Sequence, residues 1–362
     1  MKNSEIHILA QSDNNYLAGL YTTLTSVVVE NNLKDRFVFH VIDAGIHSEE
    51  KIKLESFFKK FGNVRLEFHT VDLSVFQGAK TMRGSLAPYS RLYMGQIVDA
   101  PRCIYIDVDI LVGRDVRELW EMEMNDNIFW AKQEDHNFSE GKPSFLPRDC
   151  IFEPMENVAH YKYFNSGFLL CDIEAYRNAH VFEQAVNLIQ THGDRHRIES
   201  KTCDQGLINY ICRGKIGELA PEWNMPEAIV PLTENTNYHY LSPKKPWNAA
   251  KFFPSDKLWL LFYKTFIQSD FRYQLSWKAK MHHLAFHLRN LLMGIAPDTL
   301  SAIVQKLHPK RPYVYHMKRR GYHYYRDNLL RGGLDPVSRE VYLCKEKQWK
   351  AFAARLPAEF HN

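Results

Sequence analysis

The sequence predicts an α/β fold with a mostly parallel central sheet, and three observations carry that expectation. Apolar runs of strand length alternate with helix-period stretches through the first part of the chain. Two carboxylates, Asp107 and Asp109, follow directly on an apolar strand-like run. Beyond about Leu241 the chain turns rich in helix formers, aromatics and basic residues. The expected division is an α/β domain over 1–250 and a mainly helical region over 251–362.

Ile6 to Ala10 is a short apolar run closed by the polar Gln11-Ser12-Asp13-Asn14-Asn15, so it reads as a buried strand ending in a loop. Tyr16 to Asn31 places Leu17, Leu20, Leu24, Val27 and Val28 at helical spacing. Phe37 to Ile42 is a second strand. Ser48-Glu49-Glu50-Lys51 resembles an N-cap followed by an acidic first turn. Ile52, Leu54, Phe57, Phe58 and Phe61 give that helix its apolar face, and Val64 to His69 alternates as a third strand. This βαβαβ order argues for parallel pairing beneath covering helices. Pro88 to Ile97 reads as a helix, Cys103 to Ile106 as a buried strand and Ile110 to Val112 as its apolar sequel. Ile128 to Ala131 and Phe168 to Cys171 are further strand candidates, and Asp204 to Ile211 reads as the start of a helix. Pro243, Pro246 and Pro254 are expected to break regular structure.

The chain has 362 residues, 45% hydrophobic and 24% charged, which is ordinary for a globular protein. A net charge of +4 does not make it a polycation. Leu24 to Val29 is too short and too interrupted to span a membrane, and Met1 to Glu5 lacks the basic-then-apolar order of a signal peptide. A cytoplasmic protein is expected. Cys103, Cys150, Cys171, Cys203, Cys212 and Cys344 are scattered without metal-site or disulfide spacing.

Four short segments carry chemistry. Asp107-Val108-Asp109 sets two carboxylates one residue apart at a strand's end, where both would share one face of a regular strand. Such a pair is costly without compensating charge. A divalent cation supplies it, and ligand sites in open α/β sheets lie beyond the strands' C-terminal ends. The competing reading is a helix cap beside a surface turn. His239, in His239-Tyr240-Leu241-Ser242-Pro243-Lys244-Lys245-Pro246-Trp247, offers an imidazole to the same ion, and the lysines suit diphosphate oxygens. A structural histidine and a solvated lysine pair are the plainer alternatives. Phe164-Asn165-Ser166-Gly167 reads as a tight turn presenting an amide, or simply as a strand entry. Asp204-Gln205 sets a carboxylate and an amide at a helix start, for a polar ligand or for capping.

In this order the four segments resemble glycosyltransferase family 8 over about residues 5–250. That family includes retaining bacterial galactosyl- and glucosyltransferases of lipopolysaccharide and lipooligosaccharide, with glycogenin more distant. The resemblance implies a single Rossmann-like, GT-A type nucleotide-sugar-binding domain. It also implies a UDP-hexose donor, a Mn²⁺ or Mg²⁺ cofactor, and a glycan acceptor, with lipopolysaccharide core foremost among surface glycans. It places Asp13 and Asn15 in the loop that cradles uracil and ribose, and Arg91, within Tyr89-Ser90-Arg91-Leu92, against the donor. Asp107 and Asp109 become metal ligands with His239, and Asp107 also contacts the donor. Asn165 touches the donor sugar, Asp204 binds its hydroxyls, and Gln205 lies beneath the anomeric carbon. Lys245 binds the diphosphate, and Asp135 is an acceptor contact. The chain departs from the family at Ser242, where glycine is common, and at Gln11, where a small residue is usual.

The basic aromatic region includes Lys278, Lys280, Arg289, Lys306, Lys310, Arg311, Lys318, Arg319 and Arg320, interleaved with Trp277, Phe286, Tyr313, Tyr315, Tyr322, Tyr324 and Tyr325. That composition suits peripheral binding to an anionic inner-membrane surface, or a helical cap on the first domain. It carries no nucleic-acid recognition motif. Two other classes share strand-end carboxylates. A nucleotide-sugar hydrolase or nucleotidyltransferase is one, although Gln11 to Asn15 lacks the Gly-rich basic loop of a nucleotidyltransferase. A non-catalytic nucleotide-sugar-binding protein is the other.

Overall fold

The structure, a computed structural model, describes residues 5–134, 152–199, 203–227, 231–243, 245–248, 253–272 and 334–357, with Trp277 and Met281. Asp135, Lys244 and the basic aromatic stretch from Lys278 to Tyr325 lie outside the described residues.

The first half alternates strand and helix as expected. It runs β1 (Ile6–Ser12), α1 (Leu17–Asn31), β2 (Phe37–Asp43), α2 (Ser48–Lys59) and β3 (Val64–His69). Then follow α3 (Met94–Ile97), β4 (Arg102–Ile106), β5 (Ile110–Leu111), α4 (Arg117–Trp120) and β6 (Phe129–Gln133). The middle holds α5 (Met155–Val158), β7 (Phe164–Asp172), α6 (Ile173–Asn178), α7 (Val181–Glu199), α8 (Asp204–Ile211) and β8 (Ile216–Leu219). Two short strands, β9 (Met225–Pro226) and β10 (Tyr238–His239), precede α9 (Pro254–Phe266) and α10 (Pro336–Ala353).

Seven strands form one sheet in the order β3-β2-β1-β4-β7-β6-β8. All neighbours are parallel except β7, which runs antiparallel to both β4 and β6. The chain steps outward from β1 to β3 and then returns to lay β4 on the other side of β1. That reversal opens a crevice beyond the C-terminal ends of β1 and β4, the place where α/β sheets bind ligands. Asp13 and Asn15 stand at one lip and Asp107 at the other.

Each face of the sheet is buried. Ile8, Ala10, Phe37 and Phe39 pack beneath Leu20, Leu24 and Val28 of α1, and the same core takes in Trp259 and Phe262 of α9 and Trp349 of α10. The described helices of the C-terminal region therefore share the core of the sheet. On the other face Leu9, Cys103, Tyr105 and Leu169 meet Tyr89, Leu92, Tyr176 and Leu207. Gly19 lets α1 approach the crevice, because a Cβ there would meet the Val108 carbonyl at 2.3 Å and the Trp247 ring at 2.8 Å.

Four local expectations are corrected. Pro254 opens α9 instead of breaking structure, since proline at the first turn loses no helical hydrogen bond. Pro88 to Ile97 is a 3₁₀ segment, Ala87–Tyr93, followed by the single turn of α3. Ser48 is the first residue of α2 and His47 takes the cap position without a capping bond, while the acidic first turn of Glu49 and Glu50 stands as read. The turn expected at Phe164 to Gly167 is the start of β7; its glycine serves close approach and not reversal. Among the described residues Cys103, Cys171, Cys203, Cys212 and Cys344 are all free thiols.

Candidate active site

Asp107 and Asp109 lie just past β4, in a turn closed by the Ile110 N–H donating to the Asp107 carbonyl at 3.1 Å. The strand stops at Ile106, so the pair does not project from one face of a regular strand; the turn gathers it. β5 follows at once and pairs antiparallel with β10, setting His239 opposite Ile110. The Tyr240 N–H continues that ladder to the Asp109 carbonyl at 2.9 Å. A two-residue strand pairing thus carries His239 across most of the sequence to the aspartates. Its Nε2 lies 3.1 Å from Asp109 Oδ1 and 3.8 Å from Asp107 Oδ2.

The other ring nitrogen orients the imidazole. With His239 Nδ1–H donating to Asn224 Oδ1 at 2.9 Å, Nε2 is the nitrogen turned toward the aspartates. Asn224 in turn donates to Asn165 Oδ1 at 2.8 Å, and the Gly167 N–H donates to the same oxygen at 2.9 Å. What Asn165 can still offer a ligand hydroxyl is its amide –NH₂. Gly167 runs beneath this cluster. A Cβ on it would meet His239 Cε1 at 2.5 Å and Asp107 Oδ2 at 2.7 Å.

Two cations hold the carboxylates. Arg91, buried, reaches Asp107 Oδ1 at 3.0 Å, the Ser166 carbonyl at 2.6 Å and Asp204 Oδ2 at 2.9 Å. Its planar head also lies 4.4 Å from the centre of the Tyr105 ring, whose hydroxyl donates to Asp107 Oδ1 at 2.7 Å. Burial opposes the Arg91 charge, but Asp107 and Asp204 outweigh it and raise the pKa. Lys245 Nζ donates to Asp109 Oδ2 and to the Tyr240 carbonyl, each at 2.6 Å. Burial pushes Asp109 up, yet His239 and then Lys245 pull it well below the carboxylate range. For His239 burial works downward, and Asp109 prevails to raise it. Asp204 goes the other way: burial lifts it to about 6, against the pull of Arg91 and with the push of Asp107.

Gln205 is anchored at both ends. Its Oε1 accepts the Ser166 N–H at 3.0 Å, and its Nε2 donates to Glu134 Oε2 at 2.6 Å. Asp13 accepts from the Asn15 and Tyr16 N–H groups at 2.9 and 3.1 Å, which fixes the loop after β1. Trp247 packs edge-on against Tyr16, ring centres 5.4 Å apart, and so ties the Lys245 loop to that lip.

Sequence reading did not find Asn224, Glu134 or Glu227. Glu227 is buried and accepts the Leu241 and Ser242 N–H groups, both at 3.0 Å, which shapes the turn that delivers Lys245. Each is a lone polar residue without a spacing signal.

A cation fits here. Asp107, Asp109 and His239 offer three donor atoms to a common point. Asp109 Oδ1 is buried and accepts no hydrogen bond. Three carboxylates, with Asp204, face the two fixed cations Arg91 and Lys245, so a divalent ion or a protonated His239 completes the charge balance. The donor set, two carboxylates and one imidazole, suits Mn²⁺-like ions.

The parallel sheet with its reversed strand and strand-end acidic centre defines a GT-A type glycosyltransferase fold. The chain belongs to glycosyltransferase family 8: the family's sequence profile, described as Glycosyl transferase family 8, matches residues 7–251. General stress protein A of Bacillus subtilis (strain 168) is 29% identical over 271 residues, covering 69% of this chain and 90% of that protein. Lipopolysaccharide 1,2-glucosyltransferase of Escherichia coli (strain K12) is 23% identical over 262 residues, 68% of this chain and 73% of the other. The crystal structure of the galactosyltransferase LgtC with donor and acceptor sugar analogs superimposes with a TM-score of 0.59. It covers 71% of this chain and 95% of that one at 20% identity, and it establishes the fold.

Proposed function

We propose that this protein transfers a hexose, galactose or glucose, from a UDP-sugar to a glycan acceptor with retention at the anomeric carbon. Convergence of Asp107, Asp109 and His239 beside Lys245 and Arg91, at the crevice between β1 and β4, is the observation that carries the reading. The relative that acts in lipopolysaccharide assembly supports a surface glycan as acceptor, with lipopolysaccharide core foremost.

Asp107, Asp109 and His239 would hold Mn²⁺ or Mg²⁺, which supplies charge to the diphosphate as it leaves. The protein's own groups do the rest. Asp13 and Asn15 frame the uridine, and Lys245 adds positive charge at the diphosphate. Arg91 keeps Asp107 and Asp204 in place. Asn165 donates to a sugar hydroxyl, and Asp204 accepts from others. Gln205, held by Ser166 and Glu134, sets an amide dipole under the anomeric carbon. An amide is a poor nucleophile, so attack comes from the acceptor hydroxyl on the face the diphosphate leaves. The acceptor oxygen bonds to the anomeric carbon, the bond to the diphosphate breaks, and the hydroxyl proton passes to a departing phosphate oxygen. A glycolipid acceptor would lie at the cytoplasmic face of the inner membrane, and the composition from Lys278 to Tyr325 suits that surface. No described helix is long and apolar enough to cross a membrane.

The test is UDP release by the purified chain with a panel of UDP-sugars, in Mn²⁺ and in EDTA. Metal-dependent turnover of one donor, lost in Asp109→Ala, is expected. Absence of both release and metal-dependent UDP binding would remove the reading. Flotation with anionic vesicles tests the membrane part separately.

A further inference from the structure

We propose that His40, Glu67 and His69 form a second metal site, for Zn²⁺ or a similar imidazole-seeking ion, on the outer strands of the sheet. His40 and Glu67 are direct cross-strand partners on β2 and β3, and His69 follows two residues on, on the same face. The three donor atoms are His40 Nδ1, His69 Nε2 and Glu67 Oε2. Their separations are 3.1 Å between the imidazoles and 3.2 and 3.8 Å from the carboxylate oxygen to His40 and His69. A tetrahedral zinc centre with bonds of about 2.0–2.1 Å has ligand–ligand edges of about 3.3–3.4 Å. The observed triangle brackets that edge before any ion has drawn it together.

The surroundings prepare each ligand. His40 Nε2 lies 2.9 Å from His7 Nδ1 on β1. When that Nε2–H donates to His7, His40 Nδ1 presents its lone pair to the site, the outer bond that orients a metal-bound imidazole. Burial first, then the neighbouring His7 and His69, hold His40 down at about 3, and burial also lowers His7 and His69. Burial thus favours, at His40 and His69, the neutral imidazole that binds metal. Glu67 divides its oxygens: Oε1 pairs with Arg65 and Oε2 faces the histidines. Arg65 also reaches Glu5 at 3.4 Å, which offsets its charge. His40 is buried, whereas the side chains of His69 and Glu67 are 23% and 31% exposed, so an ion can enter and water can complete its coordination.

Donor chemistry separates this site from the crevice. Two imidazoles with one carboxylate favour Zn²⁺, Co²⁺ or Ni²⁺, whereas two carboxylates with one imidazole also suit Mn²⁺. An ion here would clamp β2 to the edge strand β3.

The test uses the full chain stripped with EDTA and titrated with Zn²⁺, and separately with Co²⁺, whose visible absorption reports tetrahedral geometry. Wild type is expected to bind two equivalents of Zn²⁺. His69→Ala and Glu67→Gln should each bind one and lose the tetrahedral Co²⁺ bands, while Asp109→Ala should bind one and keep them. Zn²⁺ should raise the melting temperature of Asp109→Ala by several degrees and leave His69→Ala/Asp109→Ala unmoved. Equal stoichiometry in wild type and His69→Ala, or no Zn²⁺ binding by Asp109→Ala with a native circular dichroism spectrum, overturns the proposal. The three side chains would then be only a hydrogen-bonded group of neutral histidines with a carboxylate.

Discussion

Asn224 Oδ1 accepts the Nδ1–H of His239 at 2.9 Å, and that bond decides which imidazole nitrogen faces Asp107 and Asp109. Outer partners of this kind are worth about 10–100-fold in metal affinity or activity. Asn224→Ala should raise the Mn²⁺ concentration needed for half-maximal activity by about that factor. Asn224→Asp should be milder, because a carboxylate still accepts from Nδ1. Manganese titration of sugar transfer checks both; an unchanged midpoint in Asn224→Ala would refute the orienting role.

Gly167 has no side chain because there is no room for one. A Cβ would lie 2.5 Å from His239 Cε1 and 2.7 Å from Asp107 Oδ2, inside any normal contact distance. Gly167→Ala should push the histidine and the carboxylate apart. Metal affinity is expected to fall at least about tenfold, again the scale of ligand misorientation. Manganese binding followed by electron spin resonance would check this alongside circular dichroism. Native affinity in a folded variant would contradict it.

These two residues show where sequence reading reached and where it stopped. β3 was legible to the residue, since Val64–His69 alternates, and the start of α8 was legible at Asp204. Asp107, Asp109 and His239 were legible as chemistry, through their order along the chain. Their meeting was not, because it rests on β5 and β10, two residues each, too short for any period to register. The Phe164 to Gly167 segment reads as a turn because glycine after two polar residues usually marks one. Here the glycine answers a contact with residues remote in sequence, which only the fold reveals. The histidines of β1, β2 and β3 escaped notice for the same reason. His7, His40 and His69 become neighbours only through strand register.

Gln205 is fixed by Ser166 on one side and Glu134 on the other. If its amide steadies positive charge at the anomeric carbon, Gln205→Ala should lose about 10²–10³ in kcat with little change in donor KM, the cost of deleting one positioned dipole. Glu134→Ala should fall in the same direction but less, because it acts through Gln205. Steady-state kinetics with the donor identified by UDP release would decide. Wild-type turnover by Gln205→Ala would sink the role.

His40 makes the fold acid-sensitive. Burial and its histidine neighbours hold its native pKa at about 3, while the unfolded chain titrates near the ordinary value of 6.5. Between those values the unfolded state binds a proton that the native state refuses. Stability from this group is therefore complete above about pH 6.5 and is lost as pH falls toward 3. Going from pH 6.5 to 5 should remove roughly 2 kcal/mol through His40 alone, at about 1.4 kcal/mol per unit. His7 and His69 act in the same direction. His40→Gln in EDTA should flatten the dependence of denaturation midpoint on pH over this window. Parallel profiles for variant and wild type would exclude His40 as the source.

The C-terminal helix α10 is tied to α1 through one mostly buried carboxylate. Glu30, on α1, accepts from Lys345 Nζ at 2.7 Å through Oε2 and from Trp349 Nε1 at 2.9 Å through Oε1. Lys345 also donates to the Gly113 carbonyl at 3.1 Å, so the ammonium is buried among groups of both α1 and the segment after β5. Glu30→Ala would strand that ammonium and the indole N–H together, and breaking a buried pair from one side costs about 3–5 kcal/mol. The double variant Glu30→Leu/Lys345→Met removes the charges as a pair and should recover much of the loss. Chemical denaturation of the single and double variants would measure the difference. Equal destabilisation in both would mean that the stranded ammonium is not the source of the loss and that the contacts of Glu30 itself, the Trp349 indole among them, hold α10.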